Sequence, residues 1–147
     1  MRETTVIKTP VGNLKTVISD GAVTEIKFTS EPVCGEENSV THQLREYLEG
    51  KRKTFDALLA VSGTPFQKKV WQALLDIPYG ETRTYGQIAA AIGNPKAYRA
   101  VGMACNRNPI CIIVPCQRVV GTNGKLVGYA EGVDKKSFLL NIERKRG

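Results

Sequence analysis

The chain has 147 residues, enough to bury a hydrophobic core in one domain or in two small ones. It carries 21 Lys and Arg against 14 Asp and Glu, and the formal charge of +7 favours a polyanion such as nucleic acid, with solubility alone as the alternative. No apolar stretch has the length of a membrane span or of a secretory signal, so we expect a cytoplasmic protein. The four cysteines and one histidine match neither a zinc pattern nor a disulfide framework, so we expect reduced thiols and no metal site.

The first half of the chain alternates β-prone runs with turns and predicts a small strand-rich unit. The runs cover residues 4–8, 13–19 and 23–28. Asp20-Gly21 between the last two runs is a hairpin signal. A helix is predicted over residues 40–49, and Gly50 ends it.

The second half changes to a helical pattern. Thr64-Pro65 has the residue types that begin a helix, and the amphipathic pattern continues to Leu75. A short helix over residues 84–92 ends in a Gly turn, and Pro95 opens a second helix over residues 96–105. Helix, tight turn and helix together predict a helix-turn-helix.

The second of these helices has one apolar and one outward face. Val101, Ala104 and Cys105 share the apolar face, and Arg99 lies on the opposite side. The outward face also carries Lys96, Ala100 and Met103. Its small residues allow the backbone to approach a narrow groove of DNA, and Arg107 and Arg118 nearby favour this interpretation over plain packing between two Ala-rich helices.

These elements predict an α/β (α+β) fold in two domains. Residues 1–60 form a small strand-rich domain, and residues 61–147 form a mostly helical domain with the helix-turn-helix.

Cys116 is the strongest candidate nucleophile. The apolar residues 112–114 predict a buried strand that Pro115 ends, so that Cys116 lies at the rim of the core with Arg118 two residues away. A cation beside a thiol lowers its pKa and favours the reactive thiolate. Inert packing of the thiol is the alternative.

The second half closely resembles the DNA-protein alkyltransferases that repair O6-alkylguanine. The resemblance is carried by the ordered motifs Gly63-Thr64-Pro65-Phe66-Gln67, Ile77-Pro78-Tyr79-Gly80, Tyr85-Gly86, Asn94-Pro95-Lys96, Arg99-Ala100-Val101-Gly102, Asn108-Pro109, Pro115-Cys116 and Arg118-Val119. The first half is compatible with the variable, ribonuclease H-like N-terminal domain of that family but matches less specifically.

The resemblance implies a single-turnover methyltransferase acting on double-stranded DNA as a monomer without a cofactor. The helix-turn-helix enters the minor groove, Arg99 takes the place of the extruded nucleotide, and Cys116 accepts the alkyl group from O6-alkylguanine, with O4-alkylthymine as a possible further substrate. On this resemblance Lys96, Ala100, Arg107 and Arg118 also belong to the DNA-binding surface.

The resemblance also assigns roles around the nucleophile. Tyr85 donates to the base and helps to protonate the departing oxygen, and Asn108 braces the turn under the cysteine. The expected pocket is lined by Val119, Tyr129, Gly132 and Lys136. Ordinary packing of Tyr85 onto the core and a plain Asn-Pro turn are the alternatives.

Glu143 lies on the last helix, which we expect to begin near Asp134. The spacing from Leu139 and Leu140 places its carboxylate beside the apolar stripe, so we expect a buried partner, and a surface salt bridge to Lys136 or Arg146 is the alternative.

Two residues depart from the family pattern. Gln117 occupies the position where most members have a His that, with the Glu and a water, deprotonates the cysteine. An amide does not carry a proton at neutral pH, so activation of Cys116 must rest on Arg118, on helix dipoles, or on direct proton transfer through water to Glu143. We therefore predict a slower or more alkaline-shifted reaction. Glu131 stands where small residues are usual, near the expected pocket lip.

Three other functions are alternatives to alkyl transfer. A lesion-binding sensor of the alkyltransferase-like type commonly lacks the cysteine, so Cys116 argues against it, whereas Gln117 favours it. A helix-turn-helix transcription regulator would need sequence-specific binding to undamaged DNA. A cysteine hydrolase would need a nearby His base, and the single histidine, His42, lies in the other predicted domain.

Overall fold

The computed structural model describes residues 1–126 and 128–146 of the chain, with the backbone alone for residue 146. It confirms the predicted mixed architecture, with an antiparallel sheet in the first half and most of the helices in the second. Among the helices of the described residues, none is both long and apolar enough to cross a membrane.

The sheet is an antiparallel meander of three strands. The strands are β1 (Arg2–Ile7), β2 (Asn13–Ser19) and β3 (Ala22–Thr29), in the order β1-β2-β3. Asp20 and Gly21 connect the last two with φ angles of 51° and 84°. Two consecutive left-handed residues are what a two-residue hairpin turn requires, so the predicted hairpin is confirmed.

A capped helix, α1 (Ser39–Leu48), follows the sheet. Its N-cap residue, Asn38, accepts a hydrogen bond from the backbone N–H of Thr41. Gly50 follows the helix end with a φ of 75°, which a glycine adopts without steric cost. The inner face of α1 buries Leu44 and Tyr47 completely.

Three helices build the predicted helix-turn-helix region. They are α2 (Pro65–Leu75), α3 (Tyr85–Ala91) and α4 (Tyr98–Asn106). Thr64 caps α2 in a capping box with Gln67, as the Thr-Pro signal predicts. The indole Nε1 of Trp71 donates to the backbone oxygen of Ala104 at 2.9 Å and so ties α2 to α4.

The start of α4 was predicted two residues too early. Residues 94–97 form a turn in which the N–H of Ala97 donates to the oxygen of Asn94 at 2.9 Å. Pro95 and Lys96 therefore lie in the connection between the helices, and α4 begins at Tyr98.

The predicted buried strand over residues 112–114 is wrong. The segment is buried, but it folds into consecutive tight turns in which Val114 N–H donates to Ile110 O and Cys116 N–H donates to Val114 O. Ile112 has a φ of 73°, a strained conformation for a β-branched residue. Cys116 begins a short 3-10 turn, Cys116–Arg118.

A short parallel pair of strands and a last helix follow the cysteine turn. Strand β5 (Val119–Val120) pairs with β4 (Arg83–Thr84), and a 3-10 turn, Thr122–Gly124, leads onward to α5 (Val133–Arg146). The last helix begins at Val133 and not with Asp134 as its cap, because Gly132 O accepts the first helical hydrogen bond, from Lys136 N.

The sheet also positions the cysteine loop. Ile26 of β3 donates through its N–H to Pro109 O, and its own oxygen accepts from Cys111 N–H, both at 2.9 Å. Buried side chains from both halves belong to one hydrophobic cluster that includes Ile26, Tyr47 and Cys116. The division at residues 60 and 61 stays a prediction.

Candidate active site

Asn108 organises the loop that carries the cysteine. Its Oδ1 accepts from Ile110 N–H at 2.9 Å, and its Nδ2 donates to Val114 O at 2.8 Å and to Cys116 Sγ at 3.2 Å. One side chain thus satisfies backbone groups of the tight turns that the contact with β3 leaves unpaired. Asn108 lies where the prediction of a brace requires it, and it is also a direct partner of the sulfur.

The thiol of Cys116 is buried, with 6% of the residue exposed. Burial raises its pKa to about 11, and the hydrogen bond from Asn108 and the charge of Lys136 oppose this increase only in part. At neutral pH the thiol is therefore protonated, and a reaction that needs the thiolate must include a proton acceptor.

Lys136 is the cation that lies near the thiol. It is fully buried, and its ammonium donates to the backbone oxygen of Val119. The same ammonium lies 5.8 Å from the ring centroid of Tyr85 and 6.0 Å from that of Tyr129. Burial lowers the pKa of Lys136. These contacts bring three residues of the expected pocket, Val119, Tyr129 and Lys136, together with Tyr85.

Arg118 neither faces solvent nor supplies the charge that favours the thiolate. Its Nε and Nη2 donate to the two carboxylate oxygens of Glu143 at 2.9 and 3.2 Å, and its Nη1 donates to Ile77 O at 2.7 Å. The guanidinium is buried in this pair. The expectations that Arg118 contacts DNA and lowers the cysteine pKa are therefore wrong, because its charge is neutralised inside the core.

Glu143 is the centre of a buried polar cluster. Besides Arg118, it accepts hydrogen bonds from the backbone N–H of Gly80 at 3.2 Å and from the hydroxyl of Tyr47. The predicted buried partner exists, and it is Arg118. Lys136, one of the two surface alternatives, donates instead to Val119 O, and the side chain of the other, Arg146, lies outside the described residues. Gln117 Nε2 lies 3.4 Å from Glu143 Oε2 and 3.3 Å from Tyr47 Oη.

Tyr47 was not anticipated from the sequence. It is the tyrosine on the inner face of α1, and its partner Glu143 is 96 residues away. Its place on the inner face of a predicted helix is the one feature of the sequence that could have identified Tyr47. A tyrosine buried there needs a hydrogen-bond partner for its hydroxyl.

An open cleft lies between α4 and the segment that precedes α5. It has a volume of about 380 Å³ and is lined by Tyr85, Tyr98, Arg99, Gly102, Met103, Asn106 and Gly128. Tyr85 reaches from this cleft toward the cysteine, and burial, with the nearby Cys105 and Cys116, raises its pKa to about 12. Its hydroxyl lies so close to Gly128 that an added Cβ there would be 3.0 Å from it. Tyr98 and Gly128 were not predicted to belong to the site.

The outward face of α4 and of the turn before it is open to solvent. Lys96, Arg99, Ala100 and Met103 are exposed, whereas Val101, Ala104 and Cys105 are buried. Arg107, at the C-terminal end of α4, is exposed as well. The structure thus presents a basic surface beside the cleft.

Glu131 lies against the sheet. It lines a groove with Phe28 and Lys135, and burial raises its pKa while a backbone hydrogen bond from Phe28 lowers it. Gly132 beside it has a φ of 109°, a conformation that favours glycine. Tyr129 is buried near Cys116, which together with burial raises the pKa of the tyrosine.

The buried thiols predict a loss of stability at alkaline pH. Burial raises the pKa of Cys105 to about 12 and that of Cys116 to about 11, from an ordinary value of 9.0. Their contribution is complete below pH 9.0, where both states are protonated. It is lost as the pH rises toward 11 for Cys116 and toward 12 for Cys105, because the unfolded chain ionises first. Urea unfolding at several pH values will measure this decline.

Cys105→Ala is expected to flatten the decline, because it removes one of these thiols. Cys34→Ala is the matched control, since Cys34 is exposed. A pH dependence that is the same in Cys105→Ala and the unaltered protein would contradict this explanation.

Comparisons with known proteins agree with this geometry. The model of the family described as "6-O-methylguanine DNA methyltransferase, DNA binding domain" matches residues 65–145. The methylated-DNA--protein-cysteine methyltransferase of Methanosarcina mazei is 67% identical over 104 residues, which cover 71% of this chain and 66% of that protein, just under two thirds of its length. The protein of the same name from Mycobacterium tuberculosis is 43% identical over 150 residues, covering 95% of this chain and 91% of the relative.

A solved structure is similar over nearly the whole chain. It is the crystal structure of Mycobacterium tuberculosis OGT in complex with DNA, which matches with a TM-score of 0.89 and 42% sequence identity. The match covers 97% of this chain and 92% of the other.

Proposed function

Because the chain belongs to the family of 6-O-methylguanine DNA methyltransferases, we propose that it repairs DNA by transferring the alkyl group of O6-alkylguanine to Cys116. The observation that carries this proposal is the cysteine itself, held by Asn108 near Lys136 and near Tyr85, which lines an open cleft. A matching relative solved in complex with DNA supports DNA as the partner.

Binding begins at the basic face of α4. Lys96 and Arg107 contact phosphates, while the small side chain of Ala100 allows the helix to enter the minor groove. Arg99 takes the place of the flipped nucleotide, and the extruded base enters the cleft toward Tyr85. Extrusion costs a few kcal/mol, which the phosphate contacts and the inserted side chain offset.

Transfer is a displacement at the alkyl carbon. The Cys116 thiolate attacks that carbon, the bond from carbon to O6 breaks, and its electron pair leaves with guanine. The pKa of Tyr85 is raised to about 12, so its hydroxyl is protonated at neutral pH and can donate that proton to O6 as the bond to carbon breaks. The products are an unmodified guanine and a thioether, which has no easy return path, so each molecule acts once and needs no cofactor.

The protein acts as a monomer in the cytoplasm on this proposal. Its four cysteines are free thiols, which fits a reducing compartment.

A lesion-binding sensor without transfer is the second candidate. Gln117 in place of the usual His and the raised pKa of the Cys116 thiol favour it, because both slow formation of the thiolate.

Stoichiometry distinguishes the two candidates. With an excess of duplex carrying radiolabelled O6-methylguanine, protein-bound label is expected to rise to one methyl group per protein molecule and stop. Continuous release of free product, or saturable binding of the duplex without any labelled protein, would argue against suicide transfer.

Arg99→Ala is expected to slow transfer on duplex DNA by about tenfold or more, because the flipped state loses the side chain that fills the stack. The loss should be smaller when the lesion lies opposite an abasic site, where less stacking is broken. Single-turnover rates on both duplexes measure this difference. Arg107→Ala is the matched control, and it should lower affinity and salt dependence equally on both duplexes. Equal losses for Arg99→Ala on the two duplexes would contradict the role.

Gln117→His is expected to speed transfer at neutral pH and to shift the pH profile toward lower pH, since imidazole can accept the proton that the amide cannot. Single-turnover rates across a pH series measure the change. A rate equal to that of the unaltered protein at neutral pH would show that Gln117 does not limit the reaction.

A further inference from the structure

A buried tyrosine from the first half of the chain contacts the carboxylate of Glu143. Tyr47, Gln117 and Glu143 are each at most 1% exposed. Tyr47 Oη donates to Glu143 Oε2, and Gln117 Nε2 lies 3.3 Å from the same Oη. A hydroxyl has one proton to donate and two lone pairs, so Tyr47 can accept a second hydrogen bond besides that from Gln117.

The orientation of the Gln117 amide follows from its neighbours. Its Nε2 faces three acceptors, namely Tyr47 Oη, Ile112 O at 3.4 Å and Glu143 Oε2 at 3.4 Å. Exchange of the amide atoms would place an oxygen against these acceptors, so the nitrogen belongs there. Gln117 Oε1 is buried and accepts no hydrogen bond from the described residues.

The unpartnered oxygen indicates a bound water. A buried acceptor without a partner costs about 1–3 kcal/mol, and an internal water is the usual partner for such an atom. Tyr129 Oη, near Cys116, is another buried oxygen without a hydrogen bond among the described residues. A water at Gln117 Oε1 therefore satisfies one buried oxygen and has a second unpartnered oxygen, Tyr129 Oη, near the same cysteine.

The distances allow this water to reach Tyr47. The oxygen and nitrogen of an amide are about 2.2 Å apart, and Gln117 Nε2 is 3.3 Å from Tyr47 Oη. Gln117 Oε1 is therefore within roughly 5.5 Å of Tyr47 Oη, a gap that one water spans with two hydrogen bonds of about 2.8 Å.

We propose that Tyr47 relays the proton of the Cys116 thiol to Glu143 through a water held at Gln117 Oε1, a role that rests on the proposed function. The thiol proton passes to the water, a water proton passes to Tyr47 Oη, and the proton of Tyr47 passes to Glu143 Oε2. The thiolate left behind attacks the alkyl carbon. Gln117 positions the water and the tyrosine but carries no proton itself.

The surroundings of Tyr47 fit a relay. Burial and the charge of Glu143 raise the pKa of Tyr47, so its phenolate is not a stable intermediate. Tyr47 therefore donates its proton to Glu143 at the same time as it accepts one from the water. Protonation of Glu143 removes the charge that neutralises Arg118, but the guanidinium keeps its hydrogen bond to Ile77 O and lies 5.6 Å from the ring of Tyr79. His42 is exposed on α1, so it is not a buried base for this cluster.

The test is a double-mutant cycle on the full chain with a duplex carrying O6-methylguanine. The unaltered protein must first take up methyl groups, and no uptake would overturn the proposed function and the relay with it. With uptake established, Tyr47→Phe is expected to lower the single-turnover rate at neutral pH by about tenfold or more. In the Gln117→His background the same change is expected to cost much less, because the imidazole offers its own path.

Equal losses in the two backgrounds, or no loss in the unaltered background, would overturn the relay and leave alkyl transfer intact. Thr16→Val, which removes a buried hydroxyl in β2, is the control for general loosening and should leave the rate unchanged. Should Tyr47→Phe unfold, the unaltered protein gives a second measurement in mixtures of H₂O and D₂O. A curved dependence of rate on deuterium fraction is expected because several protons move together, and a linear dependence would overturn the relay.

Discussion

Replacing Cys116 with Ala is expected to abolish alkyl transfer while binding of the damaged duplex is retained. The substitution removes the sulfur that we propose as the acceptor of the alkyl group, and Cys116 is not part of the basic face of α4. The loss should exceed that of any other single substitution in the site, since no neighbouring group replaces a covalent nucleophile. Methyl transfer and duplex binding, measured on the same preparation, check both halves of this result.

Cys105→Ala is the control for this experiment, because Cys105 is also a buried free thiol but lies on α4. It should retain transfer. Methyl uptake by Cys116→Ala, or loss of uptake in Cys105→Ala with an intact fold, would contradict the assignment of the nucleophile.

Glu143→Ala is expected to cause the largest loss of stability. It leaves the charge of Arg118 buried without its carboxylate and removes the acceptor of Tyr47 and of Gly80 N–H. Removing one partner of a buried pair costs about 3–5 kcal/mol, a large part of the roughly 5–15 kcal/mol by which a protein of this size is stable. Urea unfolding will measure this change in free energy.

Glu37→Ala is the matched control. Glu37 pairs with Arg45 through two contacts, at 2.7 and 3.1 Å, but both side chains are about 40% exposed. Exposed pairs contribute about 0–1 kcal/mol, so this variant should remain near the unaltered protein. A similar loss for Glu37→Ala and Glu143→Ala would show that burial of the pair is not the cause.

Elements determined by local chemistry were predictable from the sequence. The hairpin at Asp20-Gly21 depends on two residues that tolerate left-handed backbone, and the start of α2 depends on Thr64 and Gln67 capping each other. The exposure of Arg99 followed from helical periodicity alone.

The cysteine loop was not predictable from local patterns. An all-apolar run suits a buried strand, but the backbone of this loop is paired by its own turns, by the side chain of Asn108 and, at Pro109 and Cys111, by Ile26 of β3. Periodicity reports that residues 112–114 are buried and does not report how their backbone groups are paired.

The polar cluster was predictable only in part. Spacing along α5 placed Glu143 at the edge of the core, but its partners come from distant parts of the chain: Arg118 from the cysteine turn and Tyr47 from α1. No pattern within a helix or strand reports such a pairing. The electrostatic role expected of Arg118 failed for this reason, because the charge that it carries is neutralised by a residue 25 positions away.

The site thus combines a buried, protonated thiol with a buried polar cluster around Glu143 in which Gln117 stands in place of the usual His. Asn108 and Lys136 oppose the effect of burial on the Cys116 thiol but leave its pKa near 11. We therefore expect formation of the thiolate, and not attack on the alkyl carbon, to limit the rate of transfer.

The most direct measurement is the mass of the intact protein and of its peptides after incubation with a duplex that carries one O6-methylguanine. We predict a single added methyl group on the peptide containing Cys116, none on the other three cysteines, and a restored guanine in the duplex. A protein that binds the lesion for hours with no change in mass, or a methyl group on another residue, would contradict alkyl transfer to Cys116.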